Sequence, residues 1–589
     1  MDEEKPRWRE RIELKKRSRG IKRHARKVEG ATVRHARRFL VNRWDKISEV
    51  RFHIIVWLGG VGLLIGLVGL QMIWFQRGYV TAAPVGGGTY AEAVKGPIDT
   101  LNPLYATTPA ELAASKLLFS SLYSVDASGR LRGDTAVSMA NDSDKNFTIK
   151  MRKDVRWHDG QKVNADDVVF TVALMKSPAV RSVMTGSWQG ITVQKIDDYT
   201  VQFNLPAPYA AFPQALTFAI VPEHLLKAVN PSSLRESSFS SAPVGSGPFD
   251  LRLLQVINQA SGRKIAHMDA NDDHYAGRPR LDHFQLHSYS DDDSISQALR
   301  TGEVGAASDV PSEIAQTVDN NRYDTIVKPI NSGVYALFNF AQPILKDVAV
   351  RKALLAGTNT DVLRKQLYGN PKPLYMPFVV GQVSGTEAVA PPVYDKEAAG
   401  KLLDGAGWIL KDGVRTKGAE KLHLRIVTRK NSDYESVLRV LVGQWRALGI
   451  QVDSQTYGTS EFTQDVLQLR NYDVLLDKLV IGGDPDVFAY WHSRGLLNLT
   501  SYGNQLSDDL LASARSRSDP ALRAVKYTAF AKQWMADVPA IGLYQSNYVY
   551  IHSKSTKTIE QDESIVSSDE HYANVRYWTA EKGTVYKTP

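Results

Sequence analysis

Residues 147–170 read FTIKMRKDVRWHDGQKVNADDVVF. Phe147, Ile149 and Met151 alternate with Thr148, Lys150 and Arg152, which predicts a strand with one buried face. Asp159-Gly160 supplies a turn. Asn164 can cap a helix, and Asp166 and Asp167 fall in its first turn, where carboxylates suit the positive helix end. Val168, Val169 and Val172 follow as the apolar stripe. Strand, turn and helix place this segment in a mixed α/β domain. The His158-Asp159 pair invites a catalytic reading, but a turn that packs Trp157 explains the same residues and outweighs it.

Outward from this segment the pattern continues. Ile191 to Ile196 and Tyr199 to Leu205 alternate on either side of Asp197-Asp198, a hairpin signal. Ser232 to Gly247 is rich in Ser, Pro and Gly and reads as a crossover between domains. In the second half Leu422, Leu424 and Ile426 alternate, and Ser432 with Glu435 predicts a capping box. The helix that follows buries Val437, Leu438, Leu441, Trp445 and Leu448, and Gly449 ends it before Ile450 and Val452. A strand, a helix and a parallel strand predict a sheet covered by helices. Helices over about 507–517 and 519–537 lead into a strand over 540–550.

Further blocks are GGTYAEAVKGPIDTLNPLY from Gly87, KIDDYTVQFNLPAP from Lys195, PVGSGPFDL from Pro243 and HYAGRPRLD from His274. FNFAQPILKDVAVRKAL from Phe338, YDKEAAGKLLDGAGW from Tyr394 and DVPAIGLY from Asp537 complete the set. With the 147–170 segment and in this order, they resemble the family 5 extracellular solute-binding proteins, the peptide- and nickel-type receptors of ABC importers. The resemblance covers about residues 86 to 550. It implies an α/β fold of two lobes, the periplasmic-binding-protein fold of type II with an extra subdomain. The first lobe would combine 89–112, 241–332 and 541–589, a subdomain over 113–240 would pack on it, and the second lobe would take 333–540.

The 589 residues carry a net charge of +9, but residues 1–53 hold 18 Lys and Arg against 8 Asp and Glu, or +10. The rest has 54 against 55, or −1. The basic character belongs to a tail, so no nucleic-acid partner is expected for the folded part. There is no cysteine, which excludes disulfides, thiolate metal sites, cysteine nucleophiles and a lipid-bearing cysteine anchor. The segment IIVWLGGVGLLIGLVGLQMIWF, residues 54–75, is about 33 Å long as a helix and suits a hydrocarbon core of about 30 Å. Trp57 lies near one end and Trp74, Phe75 and Tyr79 near the other, as interface belts require. The preceding basic residues put the N-terminus in the cytoplasm and suit anionic lipid headgroups; a docking arm for a partner or nucleic acid is the alternative reading of that tail. A cleavable signal peptide is the rival of the anchor. The basic region and the apolar run both exceed signal-peptide dimensions, which favours an uncleaved transmembrane helix, with 76–88 as a linker. The expected location is the cell membrane, single-pass, with the binding domain outside the cytoplasm.

No HExxH, Walker loop or GxSxG elbow is present, and an enzyme is not expected. His267, His274, His283 and His287 cluster in sequence near Asp269, Asn271 and Asp273. A calcium loop fails there, because His274 stands where its turn needs glycine. No metal and no cofactor is expected. Asp291-Asp292-Asp293 reads as a turn leading into a helix cap.

The resemblance implies ligand contacts from the loop holding Leu104 and Tyr105, from Phe338 and Asn339, from the loop Ile481, Gly482, Gly483 and Asp484, and from Tyr544. Aromatic faces and exposed glycine backbone suit a peptide ligand. One departure stands out. Peptide-binding members commonly place a carboxylate about three residues before the Asp-Pro pair, and here that place falls on Ile481. Either the ligand lacks a charged amino terminus or another carboxylate such as Asp484 replaces the missing one. The expected function is a membrane-anchored substrate-binding protein that gives a peptide to ABC permease subunits. The alternatives are a ligand sensor acting through the basic tail, or a binder of a nickel chelate or sugar.

Overall fold

Ten strands form one sheet around which the soluble part is built. In chain order they are β1 Thr89–Lys95, β2 Phe249–Asn258, β3 Arg263–Ala270, β4 His283–Tyr289 and β5 Ala306–Ala307. The remaining five are β6 Tyr323–Phe338, β7 His423–Arg429, β8 Gln451–Tyr457, β9 Val474–Val480 and β10 Ala540–Ser553. Their order across the sheet is β8-β7-β9-β6-β10-β5-β1-β4-β3-β2. The computed structural model describes residues 44–560 and 562–586. Most of the expected basic tail, residues 1–43, lies outside the described residues.

β6 and β10 are long enough to run through both halves of the sheet. Their antiparallel register pairs Tyr323–Pro329 with Asn547–Ser553, then slips, then pairs Gly333–Leu337 with Ala540–Gln545. The slip between Pro329 and Gly333 is a bulge, a local break in the ladder where two strands can bend together. Ala540–Gln545 thus belongs with the second half, although the sequence division starts the return to the first lobe at 541. The parallel pairs β7 with β8 and β7 with β9 confirm the strand–helix–strand reading of 422–457. Its helix, Ser432–Arg446, is capped by Asn431, whose side chain accepts from Asp433 and Tyr434 N–H. The predicted Ser432 cap is one residue too late, because the asparagine amide oxygen reaches the same orphan donors from the preceding position.

Each half has apolar cores. The first half buries Tyr90, Leu117, Phe284 and Leu286 together with a four-stranded sheet in the order Ala136–Asp142, Asn146–Met151, Thr200–Asn204, Thr192–Asp197. Phe147, Ile149 and Met151 point into this core as the alternation predicts. A smaller cluster under the helices Asp292–Thr301 and Ser312–Thr317 holds Ile295, Leu299 and Ile314. The second half carries one cluster around Val437, Leu441 and Trp445, and another around Tyr335, Trp491, Phe530 and Trp534.

The 147–170 segment packs through its turn. The helix Ala165–Lys176 has the predicted cap at Asn164, closed into a capping box by Asp167. Asp167 also accepts from Trp157 Nε1 at 3.3 Å and Glu223 N at 2.9 Å. His158 donates its N–H to Gly245 O at 2.8 Å, and its ring nitrogens meet Gly245 N at 3.2 Å and Gly247 O at 3.1 Å. This histidine therefore holds the Gly245-Ser246-Gly247 crossover in place. Both glycines are required there, since a Cβ at Gly245 would lie 1.8 Å from Leu118 O and one at Gly247 would lie 2.5 Å from Leu118 C.

Considered by itself, the N-terminal unit is a helix over Trp44–Tyr79, followed by an extended segment from Val80. Residues 76–79 are therefore helical, where the sequence suggested a linker. Within the helix, Arg51–Trp74 is 24 residues with mean hydropathy 2.2 and none of its apolar window buried. Ile55, Leu64 and Trp74 are exposed, and this helix is long and apolar enough to cross a membrane.

Candidate functional site

The loop that follows β9 is fixed to the middle of the sheet. Ile481 and Gly482 donate their N–H groups to Asn331 O at 2.9 and 3.0 Å. Gly482 O accepts from Asn331 Nδ2 at 3.0 Å and from Gln382 Nε2 at 2.9 Å. Gly482 has φ +80, a conformation that costs a Cβ-bearing residue but not glycine. Asn331 sits in the bulge of β6, so this loop is attached at the point where the two halves meet.

From there the loop faces the 113–240 segment. A Cβ on Gly483 would meet Gln214 Oε1 at 3.4 Å, and Leu496 lies as close to Gly186, at 3.6 Å on the same measure. Ala210 N–H donates to Arg515 O at 3.0 Å, and the Arg515 guanidinium lies between the rings of Tyr209, at 4.7 Å, and Phe488, at 4.1 Å. These contacts join the region 483–515 to the 113–240 segment.

The charges on the loop are paired. Arg523 clamps Asp484 with two hydrogen bonds, of 2.8 and 2.6 Å. Arg515 Nε bonds Asp486 at 2.8 Å, and Arg429 bonds Asp477 at 2.7 Å. Burial opposes the charge on Arg523, but the hydrogen bonds and attraction of Asp484 outweigh it and hold the guanidinium above its ordinary range. Arg515 and Arg429 are raised in the same way against burial, by Asp486 and Asp477 respectively. Burial first, and the Asp486 charge second, push the Tyr209 hydroxyl up. None of these pairs was legible in the sequence. Their members lie 29 to 48 residues apart with no local spacing to connect them.

The loop over 99–108 is fixed by Glu111. Its two carboxylate oxygens accept N–H from Asp99, Thr100, Thr107 and Thr108, at 2.9 to 3.2 Å. Between those anchors Asn102 caps the short turn Pro103–Tyr105. Leu104 and Tyr105 are buried, Leu104 O accepts from Ser182 Oγ at 2.9 Å, and Arg235 lies 5.3 Å from the Tyr105 ring.

The other predicted positions are elsewhere. Phe338 ends β6, about 23 Å along the strand from Asn331. It is fully buried against Trp445, with ring centroids 6.4 Å apart. Asn339 Nδ2 donates to Tyr472 O at 2.9 Å and its Oδ1 accepts from Ala341 N at 3.0 Å. Tyr544 is buried in the same core as Phe338. The structure thus brings Ile481, Gly482, Gly483 and Asp484 together in one loop beside Gln214, and buries Phe338, Asn339 and Tyr544 in the second half.

The clustered histidines serve separate contacts. His283 meets Asp269 at 2.7 Å, while His267 meets Gln255 at 2.8 Å on β2. Among the described residues no three His, Cys, Asp or Glu converge as metal ligands. Asp291 caps the helix Asp292–Thr301 through Ser294 N, as its turn reading predicts.

With this geometry in view, comparison with known proteins identifies the chain's relatives. The sequence pattern of the bacterial extracellular solute-binding proteins, family 5, matches residues 130–496. The chain belongs to that family. A curated family 5 relative, the oligopeptide-binding protein AppA of Bacillus subtilis, is 28% identical over 483 residues, which are 79% of this chain and 87% of AppA. The dipeptide-binding protein of Escherichia coli is 27% identical over 420 residues, 65% of this chain and 75% of the relative. The AppA structure in complex with a nonapeptide has TM-score 0.73 at 25% identity, covering 84% of this chain and 99% of that one. NikZ from Campylobacter jejuni in complex with Ni(L-His) shares the fold, with TM-score 0.72 at 24% identity, 83% of this chain and 99% of that one. The fold is thus the two-lobed α/β fold of the family 5 receptors. Family 5 proteins are extracytoplasmic binding proteins of ABC transporters and not enzymes, and so is this chain.

Proposed function

We propose that this protein is a membrane-anchored receptor of an ABC importer, which encloses a peptide between two lobes and gives it to permease subunits. The loop Ile481–Asp484 carries the reading: it is tied to the bulge of β6, where two continuous strands join the halves, and it meets the 113–240 segment across the cleft. The similarity to AppA, whose structure holds a nonapeptide, supports a peptide as ligand. In this reading 89–112, 241–332 and the C-terminal part form lobe I, 113–240 packs on it as a subdomain, and 333–540 forms most of lobe II. Gly482 and Gly483 offer backbone groups to an extended peptide, with Ile481 and Asp484 beside them, while Leu104 and Tyr105 support the opposite wall. Phe338, Asn339 and Tyr544 act from behind by fixing the strands. The helix Arg51–Trp74 holds the receptor at the membrane, and the basic residues before it lie against anionic headgroups.

Titration of the full-length protein in detergent with a random oligopeptide library, with Ni(L-His) and with sugars tests the ligand class. Peptides are expected to raise the melting temperature, since saturation at a hundred times Kd adds about 2.7 kcal/mol. Stabilisation by Ni(L-His) or a sugar alone would contradict the reading. Deleting residues 1–50 should preserve uptake by an importer; loss of a downstream output with uptake intact would instead favour a sensor.

A further inference from the structure

We infer that the free edge of β2 pairs with the same edge of a second copy of this chain, so that the receptor stands as a two-fold dimer. The inference uses a strand that the ligand reading does not, and either can fail alone.

β2 is the last strand of the ten-stranded sheet and, among the described residues, has a strand neighbour, β3, on one side only. The outer edge of such a strand carries backbone N–H and C=O groups without strand partners, and soluble proteins usually guard it with charge, proline or a cover. Here that guard is missing. Residues 253–262 read LLQVINQASG, with no charged residue and no proline. Leu253, Val256 and Ile257 are 51, 50 and 41% exposed. The opposite edge of the same sheet provides the contrast. The exposed residues of β8 are Asp453, Ser454, Gln455 and Thr456, all polar, and Asp453 meets His423 at 2.9 Å.

The sequence of β2 also fits itself. A two-fold axis through Gln255 lays the strand antiparallel on its copy, with Leu254 opposite Val256 and Leu253 opposite Ile257. Apolar side chains then meet apolar ones. Arg252, which lies 3.9 Å from Asp269 of its own chain, falls opposite Asn258 rather than another charge. The ladder with β3 slips at Arg252 and at Ile257, which confines regular pairing to the stretch around Gln255. At the axis each Gln255 faces its twin; its side chain is held by His267 at 2.8 Å, and a neutral amide brings no repulsion. A strand of another protein or a lipid surface would cover the same apolar side chains, but neither calls for this self-matching register.

A patch of this size is small for a stable dimer, so the test is made on the full-length chain in its own membrane, where copies share one plane. The chain has no cysteine, so an introduced thiol reports only its own position. Opposed residues of antiparallel strands have Cα atoms about 4.5–5.5 Å apart, within reach of a disulfide, whereas residue 253 lies about 13 Å along the strand from its own twin in this register. On mild oxidation, read on a non-reducing gel, Gln255→Cys should give at least tenfold more covalent dimer than Leu253→Cys or Gln455→Cys. Chains with Leu253→Cys mixed with chains with Ile257→Cys should restore the dimer. Equal yields from all the single variants would show random collision and overturn the inference, as would cross-linking of Gln255→Cys to a different protein. Adding Val256→Lys to Gln255→Cys changes an exposed side chain and should cut the dimer at least fivefold; an unmoved yield would overturn the register.

Discussion

Arg523 and Asp484 are both more than four-fifths shielded from solvent at their side chains and make a two-point contact. Removing one partner leaves the other charged in a poor environment, so Arg523→Ala should lower stability by about 1–3 kcal/mol. Urea unfolding of the variant checks this; a cost below the error of the extrapolation would show that the pair is solvated. His274 and His287 give a second residue-scale test. Burial holds both well below the ordinary histidine value, to about 4, with Arg576 adding to the effect on His274 and Arg263 on His287. The unfolded chain takes up these protons near pH 6.5 and the folded one only near 4. Stability is therefore full above pH 6.5 and falls as pH is lowered through that window, by roughly 3 kcal/mol for each residue at most. His287→Gln should shallow the slope of unfolding free energy between pH 7 and 5, and an unchanged slope would contradict the burial argument.

At the scale of elements, the Gly245-Ser246-Gly247 crossover locks the 113–240 segment to the first half. Ser246 and Gly247 donate N–H to Leu118 O at 3.0 and 2.9 Å, and Ser120 N donates to Ser246 Oγ at 3.2 Å. Because the obstruction to a Cβ is backbone, Gly247→Ala should cost more than the 1–3 kcal/mol usual for overpacking. A melting temperature near wild type would refute that. Periodicity made most elements legible: the alternation at 147–151, the cap at Asn164 and the helix after Asn431 are local events that neighbouring residues specify. The exchange of β10 between halves was not, because a 14-residue strand with every position but Asn547 and Ser553 buried shows no change of pattern where it changes partners. The glycine block was readable as a crossover, but its dependence on His158 and Leu118 is a long-range contact that spacing cannot show.

In the whole molecule, β6 and β10 run through both halves and slip at a bulge; in the proposed function that bulge is the hinge, and the contacts of Tyr209, Ala210 and Gln214 with Arg515 and Gly483 hold the closed form. Tyr209→Ala should favour the open form and speed ligand release several-fold, which stopped-flow fluorescence would detect; an unchanged off-rate would separate that contact from closure. The loop after β9 was legible as a turn, because its glycines and Asp-Pro pair mark one, and the structure does form a loop there, with Gly482 at φ +80. The burial of Phe338, Asn339 and Tyr544 was not legible, because aromatic and amide side chains read the same from sequence whether they face a core or a ligand. The measurement that bears most directly on the central claim is native mass spectrometry of the full-length protein purified from its own membrane in mild detergent. A receptor for peptides should carry bound peptide mass at one molecule per chain, released on denaturation; a bound species that proves to be a metal complex or a sugar, with no peptide, would contradict it.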